Sequence, residues 1–437
     1  MGRKINRRDF MKGSAAATLG FWVAGRAAWG EESVSSSDKL RLACIGTAHQ
    51  AEADRKALVE SGLVNIVALC DVDEKFLGKA GEMFPKAQKY NDFRKMLERQ
   101  KDINAVLVAT PDHIHAVATA MALKLGKHVY CEKPLTHTVK EARTITKLAA
   151  EYKRVTQMGT QIHGGANYRR VVELVKAGAI GPVNEVHVWC GKGWWAEKAP
   201  TEARPVPPEL HYDLWVGPAN FHPYNKAWLP ETWRRYWAYG DGTLGDMACH
   251  YSDLPFWALD LKYPTKVWSE GPEVNADCCP EWLTVHWDFP ARGELPPVKL
   301  TWYDGGKRPA KFEEWGLNPK WSNGVLFVGE KGQLFADYDQ HHLFPEKDFK
   351  DFTPPEKTIP DSVGHYKEWA MACLKNDPKA TTCPFHYSGP LSEAVLLGNV
   401  AFRAGKSLDW DAKGLKATNC PEADAFLHYE YRKGWEL

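Results

Sequence analysis

Between residues 40 and 158, short apolar runs alternate with segments of helical composition, and this constrains the fold more than any other feature. The runs are Leu40–Gly46, Val64–Cys70, Ala105–Ala109, Lys127–Cys131 and Val155–Met158. Residues 49–61, 73–83, 113–124 and 138–151 between them suit helices. Runs this short and this rich in Val, Ile and Leu describe strands buried on both faces. Interleaved helices then imply a parallel sheet covered on both sides. Such doubly wound sheets bind ligands at the carboxyl ends of their strands. The informative residues there are Gly46, Asp71, Thr110-Pro111 and Glu132-Lys133.

The turn after the first strand reads Gly46-Thr47-Ala48-His49-Gln50-Ala51. A dinucleotide-binding turn is Gly-x-Gly-x-x-Gly, whose glycines let the backbone approach a pyrophosphate at a helix N-terminus. Here the first glycine is present and the other two are alanine, so the motif equally describes an ordinary strand–helix turn. Asp71 stands 25 residues after Gly46, at the end of the second strand. A carboxylate there accepts ribose hydroxyls and repels a 2′-phosphate, which favours NAD over NADP. The plain alternative is that Asp71 caps the next helix.

Residues 1–30 hold a basic segment, a short apolar run and small residues at Ala28-Trp29-Gly30. That order describes an export signal, and Arg7-Arg8-Asp9-Phe10-Met11-Lys12 resembles the twin-arginine type, which exports folded proteins to the periplasm. Residues 31–38 read as a linker, 39–160 as a dinucleotide-binding domain and 161–437 as a second domain. No run of ~20 apolar residues follows, so no integral membrane segment is expected once the signal is removed. The net charge of +1 offers no basic surplus for a nucleic acid. Ten cysteines lack any Cys-x-x-Cys spacing, and no disulfide framework is expected; Cys278-Cys279 and Cys373/Cys383 are the only candidate pairs.

Three further stretches carry a resemblance. They are Ala109-Thr110-Pro111-Asp112-His113-Ile114-His115, Gly126 to Leu135 containing Glu132-Lys133-Pro134, and Gly240 to Asp253 containing Asp246-x-x-x-His250. Together they resemble the Gfo/Idh/MocA oxidoreductases, typified by glucose–fructose oxidoreductase and inositol dehydrogenase, across roughly residues 40–435. The resemblance implies an N-terminal Rossmann domain and a C-terminal α+β domain with a large, mostly antiparallel sheet. It also implies NAD(P)-dependent oxidation or reduction of a sugar or cyclitol hydroxyl. Strand-like runs at 184–190, 266–270, 281–289, 298–303, 324–328 and 333–337 fit the second domain, as do helices over 361–375 and 390–404. A Pro- and Trp-rich insertion at about 193–239 holds six of the nineteen tryptophans. It suits a cover over a carbohydrate cleft, or equally a packed excursion or an oligomer contact.

Oxidising a secondary alcohol requires a base within hydrogen-bond reach of the hydroxyl. On a helix, Asp246 and His250 share one face. By the resemblance, His250 is the general base, Asp246 orients it or holds a neighbouring hydroxyl, and Lys133 binds the reacting oxygen. Gly46, Thr47, Ala48, Asp71, Thr110, Pro111, His115, Glu132, Lys133 and Gln161 are expected at the cofactor. His163, Tyr168 and Asp253 are candidate substrate contacts. His113/His115 and Asp246/His250 have metal-compatible spacings, yet the chemistry needs no metal and none is expected. A homo-oligomer is a fold-level expectation.

Export bears on mechanism, because the periplasm holds little free NAD. Tightly held NAD is therefore expected, either exchanging hydride between two sugars or cleaving a glycoside by transient oxidation and elimination. The altered glycine turn leaves a third reading, a non-catalytic carbohydrate-binding protein with a degenerate cofactor site.

Overall fold

The first sheet is parallel throughout because each of its strands is followed by a segment able to cross over one face. The computed structural model describes Ser35 and residues 38–437. The export signal at 1–30, and all of the linker at 31–38 except Ser35 and Asp38, lie outside the described residues. In chain order the first layer set is β1 (Leu40–Ile45), α1 (Gln50–Glu60), β2 (Val64–Cys70), α2 (Glu74–Met83), β3 (Gln88–Tyr90), α3 (Phe93–Arg99), β4 (Ala105–Val108), α4 (Asp112–Lys124), β5 (His128–Cys131), α5 (Val139–Tyr152) and β6 (Thr156–Met158). The strand order is β3-β2-β1-β4-β5-β6, with every pair parallel. The order reverses between β1 and β4, which opens a crevice at their carboxyl ends. β4 and β5 are buried at every position, as their largely apolar runs require.

The chain continues through α6 (Ala166–Lys176), β7 (Val183–Trp189), α7 (Tyr212–Val216), α8 (Gly242–Tyr251) and α9 (Asp253–Ala258). It then forms β8 (Lys266–Glu270), β9 (Thr284–Phe289), β10 (Val298–Tyr303), β11 (Gly324–Gly329), β12 (Gly332–Ala336), β13 (His341–Phe344), α10 (His365–Lys375), α11 (Phe385–Ala404), β14 (Leu408–Asp411) and β15 (Lys416–Ala417). The nine strands β7–β15 make one sheet ordered β13-β12-β11-β7-β10-β9-β8-β14-β15. Only β7 and β10 pair in parallel; the other pairs are antiparallel. The second sheet is thus mixed and mostly antiparallel. α11 packs on α5 and α8, joining the Rossmann layers to the helix that carries Asp246 and His250.

The cap of α2 settles one ambiguity. Asp73, not Asp71, accepts from the backbone N–H groups of Lys75 (2.8 Å) and Phe76 (3.4 Å). Asp71 is left facing the crevice. All ten cysteines are buried free thiols, the pairs Cys278/Cys279 and Cys373/Cys383 included. No helix among the described residues is long and apolar enough to cross a membrane.

Candidate active site

Two clefts open at the carboxyl ends of the parallel strands. The first, of about 390 Å³, is lined by Gly46, Thr47 and Ala48 after β1, Asp71 after β2, and Thr110 and Pro111 after β4. Gly46 has φ +91°, and a Cβ there would lie 2.2 Å from the Ala109 carbonyl oxygen. Only glycine fits, so the chain passes close to β4 and leaves room above it. Past Ala48 the turn takes an unusual path through His49, at φ 53° and ψ −120°. Asp71 Oδ2 accepts from the Thr47 backbone N–H and hydroxyl, both at 2.8 Å. Replacing Gly46 by alanine is expected to destabilise the fold by at least about 1–3 kcal/mol from backbone strain alone, measured by urea unfolding. Parent-like stability would show that the turn relaxes freely.

The insertion forms one wall of this cleft. Its backbone is stitched to the end of β2 and the start of α2: His211 N–H donates to the Val72 carbonyl (2.8 Å) and Glu74 N–H to the Glu209 carbonyl (2.9 Å). Lys75 pairs with Glu209. Leu210, Trp215, Tyr224 and Leu229 line the cleft from that side, and Trp435 of the C-terminal tail closes another edge. Arg94 holds Trp435 in place, its guanidinium 3.8 Å from the ring centroid. The insertion therefore walls the first cleft rather than chiefly covering the second. Trp215, Trp228 and Trp233 are consumed in a buried cluster of their own with Tyr236 and Tyr239.

The second cleft, of about 610 Å³, is lined by Glu132, Lys133, Gln161, His250 and Lys192, with Gln50, Met247, Tyr338 and His365 around them. Lys133 leaves the end of β5 and donates to Asp246 Oδ1 (2.7 Å) and to the Asp246 carbonyl (3.0 Å). Asp246 is 3% exposed and also pairs with Lys192 (2.8 Å) and Arg234 (3.2 Å). Trp194 Nε1 donates to its Oδ2 at 2.7 Å. Burial alone would raise the carboxyl's pKa, but Lys133, Arg234 and Lys192 outweigh it and hold the pKa well below the usual range. Burial likewise opposes the Lys133 charge, yet Asp246 and Glu132 raise its pKa. Three cations meet one carboxylate, so the cleft carries a positive surplus suited to a developing oxyanion.

Asp246 makes no hydrogen bond to His250; its carboxylate is occupied by the cations and Trp194. The His250 ring, four residues along α8, makes no hydrogen bond or ion pair among the described residues, and His250 lines the second cleft. Burial, and next the Lys133 ammonium, lower its pKa to about 3. It stands as a neutral imidazole with an available lone pair. Glu132 is buried, accepts from Gln161 Nε2 at 2.7 Å, and is held far above the usual carboxyl range by burial and by Asp54. A Cβ at Gly159 would sit 2.1 Å from Glu132 Oε1, so this strand end must be glycine for the Glu132 side chain to fit.

Four residues expected at a ligand lie elsewhere. His115 is buried, its ring nitrogens 2.8 Å and 2.9 Å from the Pro134 and Thr110 carbonyls; it braces the two loops without lining either cleft. His163 and Asp253 pair with each other at 2.9 Å. Tyr387 donates to the same Asp253 carboxylate at 2.7 Å, and His163 stacks on Trp257. Tyr168 is fully buried and its hydroxyl donates to the His250 carbonyl at 3.3 Å. None of these three lines the second cleft. Burial decides the outcome: a polar side chain in the core must find an internal partner, and each has one. His163, Asp253 and Cys383 form one group with metal-compatible atoms within 4.8 Å of one another. His113 lies with its ring nitrogens 2.9 Å and 3.2 Å from the Trp215 and Tyr239 carbonyls.

Lys192 and Arg234 also belong to this site. No spacing marks them, because the fold brings them to Asp246 from 54 and 12 residues away.

Two family models match the chain. The model for the GFO/IDH/MocA oxidoreductase family, NAD-binding Rossmann fold, covers residues 40–160. That for the same family's C-terminal alpha/beta domain covers 165–295. A glycosyl hydrolase family 109 protein of Stenotrophomonas maltophilia is 30% identical over 248 residues, 53% of this chain and 50% of that protein. Inositol 2-dehydrogenase of Salmonella typhimurium is 29% identical over 154 residues, 34% of this chain and 44% of the enzyme. The chain spans about half the length of the curated relatives it matches. Among solved structures, the WlbA dehydrogenase of Bordetella pertussis, in complex with NADH and UDP-GlcNAcA, superposes with a TM-score of 0.60. The identity there is 17%, over 85% of this chain and 99% of that one, and the likeness is one of fold.

Proposed function

The chain belongs to the Gfo/Idh/MocA oxidoreductase family, and on that premise we propose that it is an exported enzyme acting on a sugar, cyclitol or glycoside hydroxyl with an NAD that stays bound between turnovers. The first cleft fits a dinucleotide: Gly46 keeps its floor open, Asp71 faces it after β2, and Thr110 and Pro111 lie across from them. The Asp71 carboxylate disfavours a 2′-phosphate, hence NAD over NADP. Bound NAD supplies a reversible hydride acceptor. The observation that carries retention is the insertion stitched to Val72 and Glu74 along one wall, with Trp435 at another edge.

In the second cleft His250 takes the hydroxyl proton at a ring nitrogen. Lys133 holds the reacting oxygen by its ammonium and stabilises negative charge there. Asp246 fixes Lys133 in position and is itself no base, since its pKa lies far below the working range. Glu132 and Gln161 brace the end of β5 beside Lys133. The twin-arginine-like signal at residues 1–30 supports export of a folded, loaded enzyme. Likeness to a glycosyl hydrolase family 109 protein favours a second form of the same chemistry, transient oxidation that permits elimination of a glycosidic bond.

Denaturing the desalted protein is expected to release NAD(H) close to one per chain, read by mass spectrometry. If none is released and added NAD does not bind, the redox reading fails and the carbohydrate-binding reading replaces it. On glycosides, free aglycone without net oxidation selects cleavage; paired oxidation and reduction of two sugars selects exchange.

A further inference from the structure

The second cleft lies beside more positive charge than its chemistry uses. Lys133, Lys192, Arg234 and Arg235 gather around Asp246 and Trp194, and among the described residues the only carboxylate that forms an ion pair with any of them is Asp246. We infer that the substrate bears an oxyanion substituent, a carboxylate or a sulfate ester on the sugar, and that Lys192 is the residue that selects for it. This rests on the proposed reading of the second cleft as the place where the sugar binds, and narrows its substrate class.

Lys192 directly precedes the insertion, and Trp194, Arg234 and Arg235 lie within it. Trp194 is fixed at both ends: its backbone N–H donates to the Thr243 hydroxyl and its Nε1 to Asp246 Oδ2, each at 2.7 Å. Three cations surround its ring. The Lys192 ammonium and the Arg234 guanidinium each stand 5.3 Å from the centroid, and the Arg235 guanidinium stands 5.9 Å from it. An indole face attracts cations without cancelling their charge. The indole therefore gathers positive charge at one side of the cleft.

Two further carboxyls face this charge without cancelling it. Burial, and next Asp54, hold the Glu132 carboxyl far above the usual range. Burial also raises the Asp112 pKa, with Arg234 and Lys133 only partly opposing. Asp246 thus stands as one negative charge against Lys133, Lys192 and Arg234. Of these cations, Lys192 is placed to meet a ligand. It lines the second cleft together with Lys133 and His250, and its side chain is 48% exposed. Its ammonium has three donors, and one meets Asp246 Oδ2 at 2.8 Å. Lys133 meets the other oxygen of that carboxylate at 2.7 Å. A ring whose reacting hydroxyl is held by Lys133 can therefore present a further substituent to Lys192.

These features select the ligand class. An ammonium donates and never accepts. A neutral hydroxyl answers its hydrogen bonds and leaves its charge. An oxyanion answers both, through charge-assisted bonds roughly twice as strong as neutral ones. A cationic substituent would be repelled. A cleft lined by one sign of charge also draws in solutes of the other sign, an attraction that weakens as salt is added.

The test is calorimetric titration of the purified full chain with D-glucuronate, D-glucose 6-sulfate and D-glucose. At least one anion is expected to bind about tenfold or more tighter than D-glucose, and the tighter of the two names the substituent. Added salt is expected to narrow that gap. Lys192→Met is expected to reduce it to about twofold, and Lys192→Arg to retain it. In both variants Lys133, Arg234 and Trp194 still hold Asp246, so the cleft persists. The inference is overturned if no probe binds, if D-glucose binds as tightly as both anions, or if Lys192→Met keeps the parent gap. NAD(H) released on denaturation is read on the same preparation. A missing preference with NAD(H) present overturns this inference and leaves the redox reading standing. A preference that depends on Lys192, with no NAD(H) bound, overturns the redox reading and leaves the anion site.

Discussion

Replacing Lys133 by methionine is expected to lower turnover by roughly 10²–10³-fold, the usual cost of deleting one donor to a developing oxyanion, while bound NAD(H) per chain stays at the parent level. Methionine keeps the length and apolar stem of the side chain but removes the ammonium that donates to Asp246 at 2.7 Å. Lys192 and Arg234 still neutralise the carboxylate, so the folded cleft persists. A second readout separates catalysis from structure. Burial is the first cause of the low His250 pKa, and the Lys133 ammonium the second. A base acts when neutral, so activity is lost as pH falls through its pKa. The parent's acid limb is therefore expected near pH 3, below the ordinary imidazole value of about 6.5. In Lys133→Met the limb moves upward toward that value, because one of the charges disfavouring imidazolium is gone. Unchanged turnover would remove Lys133 from the chemistry, and an unmoved acid limb would detach it from His250.

The parallel sheet is legible because burial on both faces leaves a strong signal. Ala105–Val108 and His128–Cys131 contain almost nothing but apolar residues, and both are central strands. β3, three residues of Gln-Lys-Tyr at the sheet edge, is mostly exposed and leaves no such trace. Asp246 and His250 are legible through the family resemblance, and Lys133 through that resemblance and its place at a strand end. What local pattern does not encode is which partner a buried polar residue finds. His163 and Asp253, 90 residues apart, satisfy each other. Asp246 meets Lys192, just before the insertion, and Trp194 and Arg234 within it, and the insertion's proline-rich course follows no helical or strand period. The tryptophans there signal only a large apolar payload; packing against one another serves that need as well as a sugar face would.

Replacing Asp246 by alanine is expected to cost about 3–5 kcal/mol of stability, the penalty of leaving buried charge uncompensated when one partner of an ion pair is removed. Three cations converge on this carboxylate, and their environments are unequal. The Lys133 side chain is 12% exposed and that of Arg234 22%, whereas that of Lys192 is 48% exposed and shielded by solvent. Lys133 and Arg234 therefore carry most of the loss. Linkage fixes the pH dependence. The Asp246 pKa is lowered on folding, so its contribution is fully present above the unfolded value of about 3.9 and is lost as pH falls through the folded value. Urea unfolding at pH 7 reads the full difference between parent and Asp246→Ala, and the two are expected to converge as the pH is lowered below the unfolded value. Asp246→Asn keeps an acceptor oxygen without the charge and is expected to fall between them. Equal stability of all three proteins at pH 7 would mean that the cations find other partners, and that Lys133 does not depend on Asp246 for its place in the cleft.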